Sequence, residues 1–155
     1  MRMVLVTEVY ILCIVIVAAI LGGVVGWERE KANKPAGLRT HIIICASAAL
    51  LTKLGMIIID QFEILYGPAI QTDPLRILNA LIVGVSFIGG GLIIKDQESL
   101  TVRNLTTAAS LVMVASIGMT VALEQYVLAV GVTVLILVVS SIVVPTKKKK
   151  RVAKR

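Results

Sequence analysis

The run VYILCIVIVAAILGGVVG, residues 9–26, decides the fold, because eighteen consecutive residues carry no charged side chain. At about 1.5 Å of rise per residue, a helix of this length approaches the roughly 30 Å hydrocarbon core of a bilayer. The same composition pervades the chain, since 57% of its 155 residues are hydrophobic and the mean hydropathy is +0.95. Soluble globular proteins are much less apolar. The sequence therefore predicts a protein that folds in a membrane.

Four further apolar runs have the length of a bilayer crossing, at residues 42–59, 77–94, 105–123 and 126–144. We expect an all-α integral membrane protein with five transmembrane helices in residues 1–146, followed by a cytosolic polybasic tail in residues 147–155. The first run is expected to be a retained helix rather than a signal peptide, because no small-residue cleavage site follows it. Because Lys53 interrupts the second run, that crossing is expected to end near Leu54.

The tail concentrates the charge of the chain. The net charge is +7. Without the seven basic residues of the tail, the chain has nine basic and nine acidic groups, so the tail accounts for the whole excess. A basic run after a spanning helix is attracted to anionic lipid, so we expect lipid contacts at Lys147, Lys148, Lys149, Lys150 and Arg151. Nucleic acid is not an expected partner, because the tail has no aromatic residue on which bases could stack.

The placement of lysine and arginine predicts the orientation. With the N-terminus outside, thirteen basic residues lie in the loops at 28–41 and 95–104 or in the tail, and three lie on the other side. Five crossings put both loops and the tail on one face of the membrane. We therefore expect the N-terminus outside and the C-terminus in the cytosol.

The stretch EREKANKPAGLRTH, residues 28–41, gathers seven ionisable groups between the first two runs. Glu28 and Glu30 end the first helix and Arg39 begins the second, and each placement opposes the helix macrodipole. We therefore expect the glutamates to pair with Arg39 across the turn, since a guanidinium group can hold a carboxylate through two hydrogen bonds. The alternative is a solvated loop that follows the positive-inside rule.

Small residues form a second pattern. Gly22 and Gly26 lie four apart in the first helix, Ala80 and Gly84 lie four apart in the third, and the third then reaches a glycine triplet at residues 89–91. Such residues let membrane helices pack closely. The triplet is also compatible with a broken helix whose carbonyl groups line an ion path. The sequence leaves both interpretations open.

A weak internal repeat supports a simple organisation of the helices. The segment at residues 20–30 aligns with residues 88–98 at an offset of 68. Each segment ends one helix and leads into a loop on the same face of the membrane. This pattern predicts a tandem repeat of two helices followed by one extra helix.

Polar groups at membrane depth are few. Asp73 is expected to cap the third helix, and Arg76 and Asn79 lie three apart on one face of that helix. No acidic residue lies at the centre of an apolar run, which argues against a carrier or cation site built on intramembrane carboxylates. The one histidine has no zinc-ligand set around it, and nucleotide loops and nucleophile motifs are absent. We expect neither an enzyme nor a cofactor, and the sequence leaves the identity of any bound metal open.

Three blocks of sequence carry a family resemblance, namely GGVVGWERE with KPAGLRTH, then TDPLRILNALIVGVSFIGGGLIIKD, then VRNLTTAASL. In this order and spacing, over about residues 15–118, the chain resembles the transmembrane domain of the MgtC/SapB family. It departs from the pattern at Gly90, where the family has alanine, and at Asn104, where it has glycine. The functional candidates are a subset of the matching positions, with Asn79 and Gly90 added: Glu28, Arg29, Arg39, Thr40, His41, Asp73, Arg76, Asn79, Gly89, Gly90, Gly91, Lys95, Arg103 and Thr107.

The resemblance implies a multi-span protein of the bacterial or archaeal inner membrane, linked to growth in low magnesium. It also implies regulation of phosphate or cation balance through membrane partners such as the ATP synthase. The soluble C-terminal domain of the MgtC branch is not expected here, which favours a SapB-like membrane core. We therefore expect a homo-oligomeric regulator that acts through helix contacts. The alternative is a small oligomeric transporter or channel whose pathway is formed by the glycine triplet and the Arg39 turn.

Overall fold

The computed structural model describes residues 2–67, 73–95 and 102–142. The polybasic tail lies outside the described residues. Within them the chain forms five helices and one short two-stranded hairpin. In chain order the elements are α1 (Arg2–Lys31), α2 (Leu38–Tyr66), α3 (Leu75–Leu92), β1 (Ile94–Lys95), β2 (Val102–Arg103), α4 (Leu105–Ala122) and α5 (Tyr126–Ile142). The strands pair antiparallel, with Ile94 opposite Arg103.

The helix lengths confirm the predicted all-α membrane protein. Four helices, α1 to α4, are long and apolar enough to cross a bilayer. The fifth, α5, is apolar and has seventeen described residues, which is the lower end of the range that spans a bilayer. The prediction of five helices therefore holds, and four of them reach crossing length within the described part.

The helices form two hairpins that stand side by side. In the first hairpin, α1 and α2 are joined by the turn at residues 32–37, and in the second, α3 and α4 are joined through β1 and β2. Contacts along α2 and α4 run in the same direction, because His41 meets Ser110 near one end and Lys53 meets Glu124 near the other. The parallel arrangement of α2 and α4 is the one that a tandem repeat requires.

The core is built around α4, which packs against each of the other four helices. Its closest approach is to α2, because a Cβ added at Gly118 would collide with the carbonyl oxygen of Cys45. The same face buries Val114, Ile117 and Val121, which join Ala18 and other small or branched residues of α1 in one cluster. Because many of these residues are small, the backbones of α1, α2 and α4 can pack closely without polar side chains between them.

The structure defines three helix ends. The helix α2 runs past Leu54 to Tyr66, and Gly67 follows it with a positive φ of 64°. The glycine triplet does not break α3, which is helical to Leu92. Asn104 precedes α4 in a left-handed conformation, but its amide donates to the carbonyl of Leu92 at the end of α3. Asn104 therefore links the end of α3 to the start of α4.

The expected cap on α3 is present. The carboxylate of Asp73 accepts a hydrogen bond of 3.0 Å from the backbone N–H of Leu75, the first residue of the helix. Pro74 lies directly before that residue in helical conformation. A short turn joins α4 to α5, and Glu124 adopts a φ of 64° within it.

Candidate functional site

The charged turn brings the end of α1 against the start of α2 because two glycines leave room for it. A Cβ added at Gly26 would lie 2.8 Å from the Cα of Leu38, and one added at Gly22 would lie 2.5 Å from the Cβ of Cys45. The prediction of close packing at these glycines is confirmed. We call this end of the bundle the turn end, and the end that carries Lys53 and Glu124 the opposite end.

Arg29 is the charged residue that the turn end buries. Only 2% of its side chain is exposed, and its Nε donates to Glu28 Oε2 at 2.5 Å. Arg29 lies three residues after Gly26, on the face of α1 that packs inward. A guanidinium group held at such depth requires a carboxylate beside it, and Glu28, which is 22% exposed, meets this need while remaining in contact with the surface.

The predicted pairing of the glutamates with Arg39 is wrong. Glu28 pairs with Arg29, and the carboxylate of Glu30 accepts a hydrogen bond of 2.8 Å from the backbone N–H of Leu38. Arg39 is exposed and makes no ion pair with a described residue. The reason lies in the helix ends, since Glu30 reaches the first N–H groups of α2, where a negative charge is favourable. The Glu30 carboxylate thus escapes the unfavourable end of its own helix without Arg39.

His41 connects the turn to α4 and is fully buried. Its Nδ1 lies 2.8 Å from the carbonyl oxygen of Gly37, so this nitrogen carries a hydrogen and donates it. Its Nε2 lies 3.1 Å from Ser110 Oγ, and that hydroxyl donates to the carbonyl oxygen of Thr107 at 2.7 Å. The chain of contacts ties the first turn of α2 to the first turns of α4.

The protonation of His41 decides how many of these contacts are hydrogen bonds. Ser110 has one hydrogen, so with a neutral ring it can donate either to His41 or to Thr107, not to both. A doubly protonated ring donates from both nitrogens and leaves the Ser110 hydrogen for Thr107. Arg29 and Glu28 are the charged groups that act on this ring.

Most of the other sequence candidates lie away from this cluster, while Thr40 and Thr107 adjoin it. Asp73, Arg76 and Asn79 are exposed at the start of α3, near the opposite end, while Thr40 is half-buried beside His41. Gly89 packs against Ala108, but a Cβ added at Gly90 or Gly91 would have no neighbour within 4 Å. Lys95 lies in β1 opposite Val102 with its side chain outside the described part, and Arg103 is exposed in β2.

A second cluster, at the opposite end, was not predicted from the sequence. Lys53 is largely buried, its Nζ donates to Glu124 Oε1 at 2.6 Å, and it lies 5.6 Å from the centre of the Tyr10 ring. The hydrogen bond from Lys53, and then the one from Tyr10, lowers the pKa of Glu124 from its ordinary value of 4.5. The sequence did carry a signal for this pair, because Lys53 is a lone lysine in an apolar run and Glu124 is a lone acid in a tight turn.

No metal centre is evident in the described part of the chain. Among residues 2–67, 73–95 and 102–142, no three histidine, cysteine, aspartate or glutamate side chains come together in a way that could hold a metal ion. The buried residues Arg29 and His41 already have partners there, namely Glu28 for Arg29 and Gly37 and Ser110 for His41. The hydrogen bonds at the turn end join α1 to α2 and α2 to α4.

Comparison with known proteins places this geometry in a family. The model of the MgtC family matches residues 15–149. SapB of Bacillus subtilis is 38% identical over 103 residues, which cover 66% of this chain and 43% of the relative. The "Putative magnesium transporter YhiD" of Escherichia coli (strain K12) is 36% identical over 127 residues, or 80% of this chain and 56% of the relative.

A further relative, MgtC of Salmonella typhimurium, is 33% identical over 120 residues, or 77% of this chain and 46% of its own length. The chain thus spans about half the length of the curated relatives it matches. No solved structure matches the chain.

Proposed function

Because the chain belongs to the MgtC family, we propose that it is a membrane regulator linked to magnesium or related ion balance, working as a homo-oligomer through helix contacts. The link to magnesium rests on the Escherichia coli relative, whose name describes magnesium transport. The copies meet at α3, and the assembled protein acts on a further membrane partner. The buried turn-end cluster keeps the α1–α2 hairpin and α4 in one rigid unit behind that surface.

The observation that carries this proposal is the open face of α3. A groove of about 370 Å³ runs between α2 and α3 and is lined by Ser47, Ala80 and Gly84 among other residues. A Cβ added at Gly84 would meet nothing within 4 Å. Glycine in a helix costs about 1 kcal/mol relative to alanine, and no close contact inside the bundle offsets that cost at Gly84. A helix of a second copy, seated in this groove, supplies the missing contact.

The hydroxyl groups inside the bundle support regulation more than conduction. Those of Thr52, Ser116, Thr120 and Thr133 each donate to the carbonyl four residues earlier in their own helix. Each of these bonds holds the side chain against its own helix instead of directing it across the bundle. The unbroken α3 likewise keeps its carbonyl groups within the helix.

Transport is the competing function, and the name of the Escherichia coli relative favours it. A pathway would then have to form between copies, with the glycine triplet of α3 facing it and the Arg39 turn beside its mouth. Both hypotheses assume an oligomer, and they differ in whether ions cross it.

The proposed location is the inner membrane of a bacterial or archaeal cell, with the turn end and the basic tail in the cytosol. The support is the asymmetry of thirteen basic residues against three described above. Anionic lipid in the cytosolic leaflet attracts such groups.

An association measurement tests the proposed α3 surface. The protein is labelled in two batches with a donor and an acceptor dye, mixed in vesicles, and compared with Gly84→Leu and Gly131→Leu. Both glycines face open space in the single chain, so neither leucine should disturb the fold. Energy transfer should fall severalfold in Gly84→Leu and stay unchanged in Gly131→Leu. Equal transfer in all three proteins would rule out the α3 surface.

A flux measurement separates regulation from transport. Vesicles that contain the protein and a magnesium-sensitive dye are exposed to external magnesium, and parallel vesicles contain a phosphate reporter. The regulator predicts sealed vesicles in both cases. Protein-dependent flux that Arg39→Ala abolishes would support the transporter and contradict the regulator.

A further inference from the structure

A second groove lies on the opposite side of the bundle from α3, between α1 and α5 at the turn end. Its volume is about 600 Å³, within the range of small-molecule sites. Its walls change from apolar to polar along the groove. The lining residues are Val24, Trp27, Glu28, Lys31, Ala32, Leu137 and Ser141.

Trp27 and Lys31 form the polar mouth of this groove. Trp27 is 58% exposed, and the ammonium group of Lys31 lies 4.9 Å from the centre of its ring. Tryptophan prefers the boundary between hydrocarbon and headgroups, and a cation over its face is attracted by the ring. The pair therefore marks the headgroup level, and Val24 and Leu137 lie one turn deeper along their helices.

The charges around the mouth are not balanced. Glu28 is paired with Arg29, and the carboxylate of Glu30 is held by the backbone of Leu38. Lys31 has no ion-pair partner within the described ranges, although both nearby carboxylates could have served it. The groove thus presents an unpaired cation above an apolar floor.

We propose that this groove binds one anionic phospholipid, with its phosphate at Lys31 and an acyl chain along Val24 and Leu137. The unpaired ammonium group selects for net negative charge, and the apolar floor selects for a lipid over a free phosphate ion. The site is distinct from the polybasic tail, because it is formed by described residues of α1 and α5. It is also distinct from the α3 surface, so the two can be tested separately.

The single tryptophan of the chain makes the test direct. The full chain is reconstituted in phosphatidylcholine vesicles that contain brominated phosphatidylglycerol or, at the same mole fraction, brominated phosphatidylcholine. Bromine quenches tryptophan at close range, so the emission of Trp27 reports which lipid occupies the groove. One lysine near an anionic headgroup predicts about a fivefold preference for phosphatidylglycerol.

Two matched variants locate the preference. Lys31→Gln should reduce it to about equal binding of the two lipids, and Lys31→Arg should keep it. Lys34→Gln removes the same charge from an exposed position of the same turn that does not line the groove, and it should keep the preference too. Ser141→Leu fills the groove from α5 without changing charge and should reduce quenching by both lipids.

Three outcomes would overturn the proposal. Equal quenching by both lipids in the unmodified protein would show that the groove does not select an anionic headgroup. An equal loss in Lys34→Gln and Lys31→Gln would assign the preference to the overall charge of the turn. Absence of quenching by either lipid would show that protein covers Trp27.

Discussion

The helices α3 and α4 have the same length of eighteen residues and a similar apolar composition, yet their surroundings differ. Eleven residues of α4 are buried, against Val85 and Gly89 in α3. Gly118 in α4 lies against the backbone of α2, and Gly84 in α3 faces open space. The comparison teaches that a glycine pattern predicts close packing but does not show whether the partner is in the same chain. The covered face belongs to the fold, and the open face is available for assembly.

The two arginines of the charged turn repeat the contrast. Arg29 is buried with a carboxylate, while Arg39, ten residues later, is exposed. Both flank the same turn. Arg29 lies in the last turn of α1, where a positive charge is favourable, and Arg39 lies in the first turn of α2, where a positive charge is unfavourable. The helix face on which each arginine lies decides which of them is buried.

The largest expected effect distinguishes Gly118 from Gly84. Gly118→Ala should destabilise the protein by about 3 kcal/mol, because its Cβ meets a backbone carbonyl that cannot move independently. Gly84→Ala should leave stability unchanged or raise it by up to about 1 kcal/mol, since alanine favours the helix. Stepwise addition of SDS to the protein in mild micelles, followed by circular dichroism, measures both. Equal effects of the two alanines would contradict the difference between the covered and open faces.

The next effect distinguishes the two arginines. Glu28→Gln should cost about 2 kcal/mol, because it leaves the buried guanidinium of Arg29 without a carboxylate. Arg39→Gln should change stability by less than about 0.5 kcal/mol. The same SDS titration measures both variants.

A double-mutant cycle then tests the partner. Glu28→Gln and Arg29→Gln should be non-additive by more than about 0.5 kcal/mol, whereas Glu28→Gln and Arg39→Gln should add. Non-additivity between Glu28→Gln and Arg39→Gln would show that these two side chains pair across the turn, which the structure contradicts.

The smallest effect is a pH dependence at the opposite end. The pKa of Glu124 is lowered by its hydrogen bonds to Lys53 and Tyr10, so its ionised form stabilises the fold above the unfolded value. That contribution is lost as the pH falls through the lowered pKa of the folded state. We expect Glu124→Gln to be less acid-sensitive than the unmodified protein below about pH 4.5, the ordinary value for this carboxyl group.

Glu63→Gln serves as the control, because Glu63 is exposed near the end of α2. It should retain the acid sensitivity of the unmodified protein. The midpoint of thermal unfolding in micelles, measured from neutral to acidic pH, gives the comparison. An acid response in Glu124→Gln that matches the unmodified protein would mean that the Lys53 contact contributes nothing to the pH dependence.

Much of the fold could be predicted from the sequence because the bilayer imposes length and apolarity on each crossing. The five helices, the Asp73 cap and the close packing at Gly22 and Gly26 follow from such local rules. The end of α2 could not be predicted, because Lys53 looks like an interruption until Glu124 is placed beside it. A buried lysine with a partner lets the helix continue.

The site was harder to predict, because it depends on contacts between distant residues. The motif residues Arg29 and His41 were candidates, but their partners were not identified, since Ser110 lies sixty-nine residues from His41. A signal was present for Arg29, which continues the inward face marked by Gly22 and Gly26. Arg39 lies off the buried face of α2 that contains His41 and Cys45. Helix-face position would have separated the two arginines where charge alone could not.

The central claim, that α3 presents the contact surface between copies, is tested most directly by cross-linking. Cys13 is exposed and Cys45 is buried, so replacing Cys13 with alanine removes the accessible thiol. Gly84→Cys and Gly131→Cys are then introduced separately, and the membranes are oxidised before electrophoresis. The account predicts a disulfide-linked dimer for Gly84→Cys and a monomer for Gly131→Cys. A monomer at Gly84, or equal dimer at both positions, would contradict it.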